Sequence, residues 1–129
     1  MHTEQQLTPA EWQLMECLWE ASPKTGRECV EYLYRRVGWS RSTTLTMLRR
    51  MTEKQLIRCL DDGDILQYEP LIQHTEATIQ ETEQFLHRVY HGSVSMLMST
   101  ITKKQRLTQT EIDELYAILQ QAEKEDEQS

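Results

Sequence analysis

The stretch "GWSRSTTLTMLRRM", Gly38 to Met51, has the spacing of a helix but an unusual composition for one. From Arg41 onward it contains four Ser/Thr and three Arg and no acidic residue. Hydroxyl residues are mediocre helix formers, because they lose rotamer freedom or compete for backbone hydrogen bonds. Their concentration here indicates that a requirement other than helix stability selects them.

The apolar residues of this stretch predict a helix that begins after an N-cap at Ser40. A buried stripe follows the i, i+3, i+4, i+7 spacing and consists of Thr44, Met47, Leu48 and Met51. The opposite face carries Ser42, Thr43, Thr46, Arg49 and Arg50. The helix is therefore predicted to bury one face and to present hydroxyl and guanidinium groups on the other.

Such a polar face suits the major groove of DNA. Small hydroxyls approach base edges and phosphates closely, Arg binds guanine in bidentate geometry, and an aliphatic side chain such as Leu45 contacts the thymine methyl. The net charge of −7 does not exclude DNA, because the basic residues are unevenly distributed. Between positions 35 and 58 the sequence contains a single acid, Glu53, and seven basic residues, which are Arg35, Arg36, Arg41, Arg49, Arg50, Lys54 and Arg58. The alternative is a solvated basic helix that binds nothing.

The segments around this helix predict a winged helix-turn-helix. Capping boxes at Thr8 and Thr25 begin two preceding helices, which run to about Glu20 and to Val37. After Lys54 the pattern becomes extended and predicts a β-hairpin, which turns at Asp62-Gly63 and whose second strand is an edge because it contains Pro70. Three helices followed by a hairpin are the plan of that DNA-binding domain, here residues 7–73.

The rest of the chain predicts three more helices, near 75–90, 94–102 and 108–121, before an acidic flexible tail at 122–129. Their apolar residues form one-sided stripes that make a poor core alone. We therefore expect a helical dimerisation region over 74–121, in which two copies bury these stripes against each other. The expected dimer contacts are Ile79, Leu86, Val89, Met96, Leu97, Ile112, Leu115 and Leu119. The fold class is mainly α with a small β-hairpin.

Other chemistries find little support in the sequence. Cys17, Cys29 and Cys59 form no metal-binding spacing and are expected to pack in or beside the core. His87 and His91 lie at i, i+4 on a predicted helix, but without a recognisable further ligand set they indicate a solvated face rather than zinc. No catalytic constellation is recognisable, so neither an enzyme nor a cofactor is expected. The N-terminus lacks a signal peptide and no apolar run is long enough to span a membrane, so we expect a cytoplasmic protein.

Several short motifs, in order, resemble the BlaI/MecI/CopY family of bacterial transcriptional repressors, and the BlaI/MecI-like penicillinase repressor branch in particular. They are Ala10-Glu11-Trp12, Leu18-Trp19, Gly38-Trp39-Ser40, Tyr68-Glu69-Pro70-Leu71, Phe85-Leu86, Tyr90-His91-Gly92-Ser93 and Leu107-Thr108 with Glu111-Ile112. The resemblance implies a homodimeric repressor on an inverted-repeat operator of double-stranded DNA. The DNA contacts it implies are Ser40, Thr43, Thr46 and Arg50, whereas at Ser42 relatives often have a basic residue. Arg41 and Arg49 are candidates from their charge.

The sequence departs from the family's pattern at three places, of which the first bears on DNA binding and the other two on regulation. The hairpin tip "DDGD", 61–64, is acidic and is expected to stay away from phosphates. Repressors of the β-lactam-responsive branch are cleaved by a sensor protease at an Asn-Phe bond, and the aligned pair here is Thr100-Ile101, which does not support that route. The copper-responsive branch uses C-terminal Cys-x-Cys pairs, and this C-terminal region has no cysteine. The alternatives to a BlaI/MecI-like repressor are a metal-responsive, CopY-like regulator and a protein-interaction module that uses the acidic helical arm instead of binding DNA.

Overall fold

The structure, a computed structural model, describes residues 6–128, and most of these residues are helical. In chain order the elements are α1 (Pro9–Glu20), β1 (Lys24–Thr25), α2 (Gly26–Val37), α3 (Arg41–Glu53), β2 (Ile57–Asp61), β3 (Leu66–Pro70), α4 (His74–Tyr90), α5 (Val94–Lys104) and α6 (Gln109–Gln128). The predicted fold class, mainly helical with a winged helix-turn-helix order, is confirmed.

Three capping boxes begin helices where the sequence predicts them. Thr8, Thr25 and Thr108 each donate their backbone N–H to the Glu three residues later, at 2.8–2.9 Å. Each Thr hydroxyl in turn accepts the backbone N–H of that Glu at 3.1 Å. A cap of this kind contributes about 1 kcal/mol and fixes the first turn of its helix.

The sheet has three antiparallel strands in the order β1-β3-β2. β2 pairs with β3 from Ile57↔Pro70 to Asp61↔Leu66, as the predicted hairpin requires. The expectation that Pro70 makes its strand an edge is wrong, because β1 pairs with the other side of β3 at Tyr68 and Gln67. Pro70 is tolerated since it is the last residue of β3 and lies beyond the pairing with β1.

The turn of the hairpin is stabilised by its own acidic side chains. Gly63 has a φ of 99°, a conformation that favours glycine, and its N–H donates to the carboxylate of Asp61 at 2.9 Å. The Asp62 carboxylate accepts N–H groups from Asp64 and Ile65, and these hydrogen bonds lower its pKa. The predicted turn at Asp62-Gly63 is confirmed, and two of its three acids serve the turn itself.

A single core joins the first three helices to β2. Its fully buried side chains are Leu14, Met15, Leu18, Leu33, Leu48, Met51, Leu56 and Ile57. Trp12 and Trp19 flank this core with their rings edge to face at 5.1 Å, and the Trp19 indole donates to the Ile72 carbonyl at 2.8 Å. Cys17 and Cys29 are buried in the core as expected, while Cys59 is half-buried on β2.

The chain divides into two compact units, and the boundary between them along the sequence falls between Gln84 and Phe85, inside α4. The first unit contains the three-helix core and the sheet, and it extends beyond the predicted limit at Gln73 because Ala77 is buried in the core. The second unit contains the end of α4 with α5 and α6. It has no buried residue among those that the structure describes.

Helix ends account for the other differences from prediction. α6 continues to Gln128, so the segment expected to be a flexible tail is helical up to the last described residue, since Ala, Glu, Lys and Gln all favour helix. α5 likewise extends to Lys104, two residues beyond the predicted end. α4 ends at Tyr90, and His91 lies outside it with a φ of 52°. Within residues 6–128 no helix has both the length and the apolar character needed to cross a membrane.

Candidate nucleic-acid interface

A short turn of three residues sets the start of α3. Gly38 ends α2 in the left-handed conformation, with a φ of 73°, and its N–H donates to the Tyr34 carbonyl at 3.0 Å. Ser40 then caps α3, since its Oγ accepts the backbone N–H of Thr43 at 3.2 Å. The Ser40 hydroxyl also donates to the Thr43 hydroxyl at 3.0 Å. Two of the hydroxyl side chains in the opening stretch therefore begin the helix and lie together at its exposed N-terminus.

The two faces of α3 differ as the sequence predicts. Thr44, Leu48 and Met51 are fully buried, whereas Met47 is half-buried at the border. The exposed side chains on the rest of the helix include Arg41, Ser42, Thr43, Arg49 and Arg50, with Thr46 half-buried among them. Because the apolar face is anchored in the core, the polar face forms a fixed surface rather than a flexible one.

Ion pairs divide the seven basic residues between positions 35 and 58 into two classes. Five have a carboxylate partner within 4.0 Å, in the pairs Arg35–Glu31, Arg36–Glu20, Arg49–Glu53, Lys54–Glu11 and Arg58–Glu69. Arg41 and Arg50 have none among residues 6–128. The Arg49–Glu53 pair is 4.0 Å long between side chains that are each about two-thirds exposed, so it contributes little. Arg36 is similar, because its pair with Glu20 is 3.9 Å long between exposed side chains. The unpaired or weakly paired cations are therefore the three arginines of α3 and Arg36.

The Lys54–Glu11 pair is a feature that sequence reasoning missed. Glu11 was expected only to cap α1, and Lys54 only to add to the basic cluster. In the structure the Lys54 ammonium donates to Glu11 at 2.5 Å, across 43 residues of sequence. Burial opposes ionisation of Glu11, but the hydrogen bonds from Lys54 and the Thr8 backbone outweigh it, so the pKa of Glu11 is lowered. No local pattern marks such a long-range pair.

The hairpin tip has the wrong charge for a phosphate contact. Asp61, Asp62 and Asp64 are all exposed there. The nearest hairpin cation, Arg58, is paired with Glu69 on the neighbouring strand. The tip therefore carries net negative charge, which DNA phosphates repel.

A buried thiol pair lies inside the first unit. The hydrogen bond from Cys29 lowers the pKa of the Cys17 thiol and raises that of Cys29 itself, and burial adds to the second effect. The Lys24 ammonium lies 3.8 Å from the Cys17 sulfur. Both thiols are fully enclosed, which fits the structural role that the sequence predicts for them.

The remaining candidate positions lie near or within the second unit. His91 does not share a helix with His87, because α4 ends between them, so the helical i, i+4 spacing expected for this pair is wrong. Among the described residues no three His, Cys, Asp or Glu side chains come together as metal ligands would. Thr100 and Ile101 lie inside α5, where the Thr100 hydroxyl donates to the Met96 carbonyl at 3.1 Å.

The apolar residues expected at a dimer interface fall into two groups. Leu86, Leu97, Ile112 and Leu115 are half-buried. Ile79, Val89, Met96 and Leu119 are exposed, with 41–61% of each residue accessible. Tyr116 and Ile118 on α6 are exposed to a similar extent, and the sequence analysis did not include them. A single copy therefore leaves a large apolar surface uncovered at these positions.

Comparison with known proteins gives consistent results for this fold. The family model described as "Penicillinase repressor" matches residues 7–121. The methicillin resistance regulatory protein MecI of Staphylococcus aureus (strain N315) is 28% identical over 114 residues, which cover 88% of this chain and 93% of that protein. The penicillinase repressor of Bacillus licheniformis is 28% identical over 116 residues, or 90% and 91% of the two chains.

Two solved structures resemble the N-terminal part of the chain. The DNA-binding domain of the repressor BlaI in solution has a TM-score of 0.51 at 28% identity, covering 59% of this chain and 93% of that one. The monomeric form of Bacillus licheniformis BlaI in complex with the blaP half-operator has a TM-score of 0.52 with the same identity and coverage. Both concern a protein that binds DNA through a winged-helix domain.

Proposed function

The chain belongs to the penicillinase repressor family of DNA-binding transcriptional repressors, and we propose that it acts as a homodimer on an inverted-repeat operator. The observation that carries this proposal is the exposed face of α3. It combines hydroxyl groups with the arginines Arg41 and Arg50, which have no carboxylate partner among the described residues, on a helix whose other face is buried in the core.

The proposed DNA contacts are side chains of α3 and its cap. They are Ser40, Arg41, Ser42, Thr43, Thr46, Arg49 and Arg50. Hydroxyls at the N-terminus of the helix suit base edges and phosphates, and its dipole favours anions there. We assign Arg50 to a base edge and Arg49 to phosphate, so that the first contributes sequence preference and the second general affinity.

The related half-operator complex supports DNA binding by one copy of the winged-helix unit. In that complex the monomeric form of BlaI is bound to half of its operator, and the match covers 93% of its chain and 59% of this one. One winged-helix unit per half-site therefore fits this chain as well. The acidic hairpin tip is proposed to lie away from the phosphates, so that the affinity depends on α3.

Two copies are proposed to associate through the second unit. The support is its exposed and half-buried apolar side chains, Leu86, Val89, Met96, Leu97, Ile112, Leu115 and Leu119. Ile79 is proposed as a further contact from the part of α4 that belongs to the first unit. Burying these stripes between copies would supply the core that one copy lacks. A symmetric dimer then places two recognition helices for the two halves of an inverted repeat.

A regulator of this kind acts on DNA in the cytoplasm, and no cofactor or metal is proposed for it. Its inducer is not assigned. The C-terminal region has no cysteine for a copper response, and Thr100-Ile101 differs from the Asn-Phe pair that the protease-sensitive branch contains. The family consists of repressors rather than enzymes.

The proposal is tested by fluorescence anisotropy with DNA from upstream of the protein's own gene and with a scrambled duplex of equal length. We expect the upstream duplex to be preferred, and the preference to persist as the salt concentration rises. A specific complex depends on base contacts as well as on counterion release, whereas non-specific binding is almost entirely electrostatic. Equal and weak binding to every duplex, including duplexes selected from a random-sequence pool, would favour a protein-interaction module instead.

A further inference from the structure

Glu11 is the one charged residue that is buried among those the structure describes, with 5% of its surface accessible. A buried carboxylate requires partners, because its desolvation is costly when it is unpaired. Glu11 has two. One oxygen accepts the Thr8 backbone N–H at 2.9 Å, and the other accepts the Lys54 ammonium at 2.5 Å.

Lys54 occupies a defined position at the end of α3. It is the C-cap residue, and its N–H donates to the Arg50 carbonyl at 2.9 Å. The next residue, Gln55, has a φ of 63° and turns the chain, after which the Leu56 N–H donates to the Met51 carbonyl at 3.0 Å. The pair with Glu11 therefore ties the last turn of α3 to the first turn of α1.

Arg50 lies one helical turn before Lys54 and lines the same groove as Glu11. The groove between α1 and α3 is lined by Thr8, Ala10, Glu11, Met47, Arg50, Glu53 and Lys54. Arg50 has no carboxylate partner among the described residues, and Glu53 pairs with Arg49. A guanidinium binds a carboxylate in bidentate geometry, so Arg50 is a strong competitor for Glu11 whenever Lys54 is not there.

We propose that Lys54 is a positioning residue that keeps Arg50 available to DNA by occupying the buried carboxylate of Glu11. Without the ammonium, Glu11 would be left buried and unpaired, and the other cation that lines the groove is Arg50. Arg50 would then turn into the groove and away from the DNA-facing side of α3. This inference rests on the proposed contact between Arg50 and DNA.

The test uses four variants of the full chain: Lys54→Met, Lys54→Met with Glu11→Gln, Arg50→Ala, and Arg36→Met as a control. Arg36 also pairs with a carboxylate, but its groove contains no α3 residue. Affinity is measured by anisotropy on a duplex that the wild-type protein selects from a random-sequence pool. Arg50→Ala should lose about 5- to 150-fold, the range for a good bidentate base contact.

Lys54→Met should lose affinity for the selected duplex to a similar extent as Arg50→Ala. The double variant should regain it, because the neutral amide that replaces the Glu11 carboxylate no longer attracts Arg50. The slope of log K against log salt should stay that of the wild type, because Arg50 is assigned to a base edge and no phosphate contact is lost, whereas the ratio of affinities for the selected and a scrambled duplex should fall in Lys54→Met and return in the double variant. Arg36→Met should leave both quantities unchanged.

Stoichiometric titration of each variant separates this mechanism from simple destabilisation. Partial unfolding lowers the active fraction, but in the molecules that remain folded it does not change the ratio of affinities for the selected and scrambled duplexes. If Lys54→Met does not fold, the double variant decides alone, since it lacks the unpaired buried charge and should bind like the wild type. A double variant as weak as Arg50→Ala overturns the proposal.

Two further outcomes separate this inference from the proposed function. If Arg50→Ala binds the selected duplex as the wild type does, the proposed Arg50 contact fails, and the role of Lys54 fails with it. If Arg50→Ala is weak but Lys54→Met is not, only the role of Lys54 is overturned. A slope reduced equally in Lys54→Met and the double variant would instead make Lys54 a phosphate contact.

Discussion

The salt dependence of DNA binding should be much weaker than the basic composition around α3 suggests. Each phosphate that a cation neutralises contributes about −0.9 to the slope of log K against log salt. If all seven basic residues between positions 35 and 58 reached phosphates, the slope for one DNA-binding unit would be about −6.3. The structure indicates a smaller value, because most of these cations already have carboxylate partners.

The expected slope follows from the three arginines of α3. Arg41 and Arg50 are unpaired among the described residues, and Arg49 has only a 4.0 Å pair with an exposed glutamate, which it can give up to a phosphate. Because Arg50 is assigned to a base edge, the phosphate contacts are those of Arg41 and Arg49, which give a slope of about −1.8 per half-site. A cation in a closer pair gains less from DNA, since its carboxylate must be displaced or kept near the phosphates.

The assay is anisotropy on a duplex with one half-site, from about 50 to 200 mM salt, the range over which DNA affinities change most. Arg41→Gln should reduce the slope by about 0.9, whereas Arg58→Gln, which removes a charge that is closely paired with Glu69, should leave it unchanged. A slope close to −6 per half-site, or an equal reduction in both variants, would refute the view that intramolecular pairs remove these cations from the interface.

Three other predictions concern the folded chain itself. Because the pKa of Glu11 is lowered, its ion pair stabilises the protein at pH values above the usual pKa of 4.5, and this stabilisation is lost as the pH falls through the folded-state pKa. The difference in unfolding free energy between wild type and Glu11→Gln should therefore narrow in acid. Urea unfolding at several pH values measures this difference, and a difference that does not change with pH contradicts the prediction. A thiol reagent should modify half-buried Cys59 first, and Cys59→Ser should abolish that fast phase in a stopped-flow assay; a persisting phase would mean that a core cysteine is accessible. Deleting all residues after Gln84 should leave a folded monomer by light scattering, whereas an intact dimer would place the interface in the first unit.

The position of the truncation illustrates what the sequence could and could not predict. A limit at Gln73 follows from the end of the hairpin, where the period changes back to helical. The structure shows Ala77 buried in the core of the first unit and the His74 ring beside Trp19 at 4.8 Å between ring centroids, so the first turns of α4 belong to that unit. The apolar residues of α4 follow one helical period from end to end although the helix belongs to both units, so the period alone does not locate the boundary between the units.

The position of α3 was predicted well because the sequence signals that set it are local. An N-cap, a C-terminal glycine and an i, i+3, i+4 stripe all act within a few residues, so Ser40, Gly38 and Leu48 lie where the pattern places them. The two-residue strand β1 is too short to show a period, and its pairing depends on a partner more than 40 residues away. The central position of β3 was therefore not predictable from its own residues.

Which of the basic residues have a carboxylate partner depends on contacts between separate helices and strands, and this changes how the local positive charge is interpreted. A run of basic residues beside a polar helix face suggests that every cation serves DNA. In the structure Lys54 and Arg58 instead bind carboxylates of α1 and β3, and Arg36 binds one near the end of α1. The overall charge of −7 adds a general repulsion from DNA. Non-specific binding is mostly electrostatic, so both effects weaken it more than they weaken a complex held by base contacts. We therefore expect this protein to gain selectivity for its proposed operator by reducing its attraction to all other DNA.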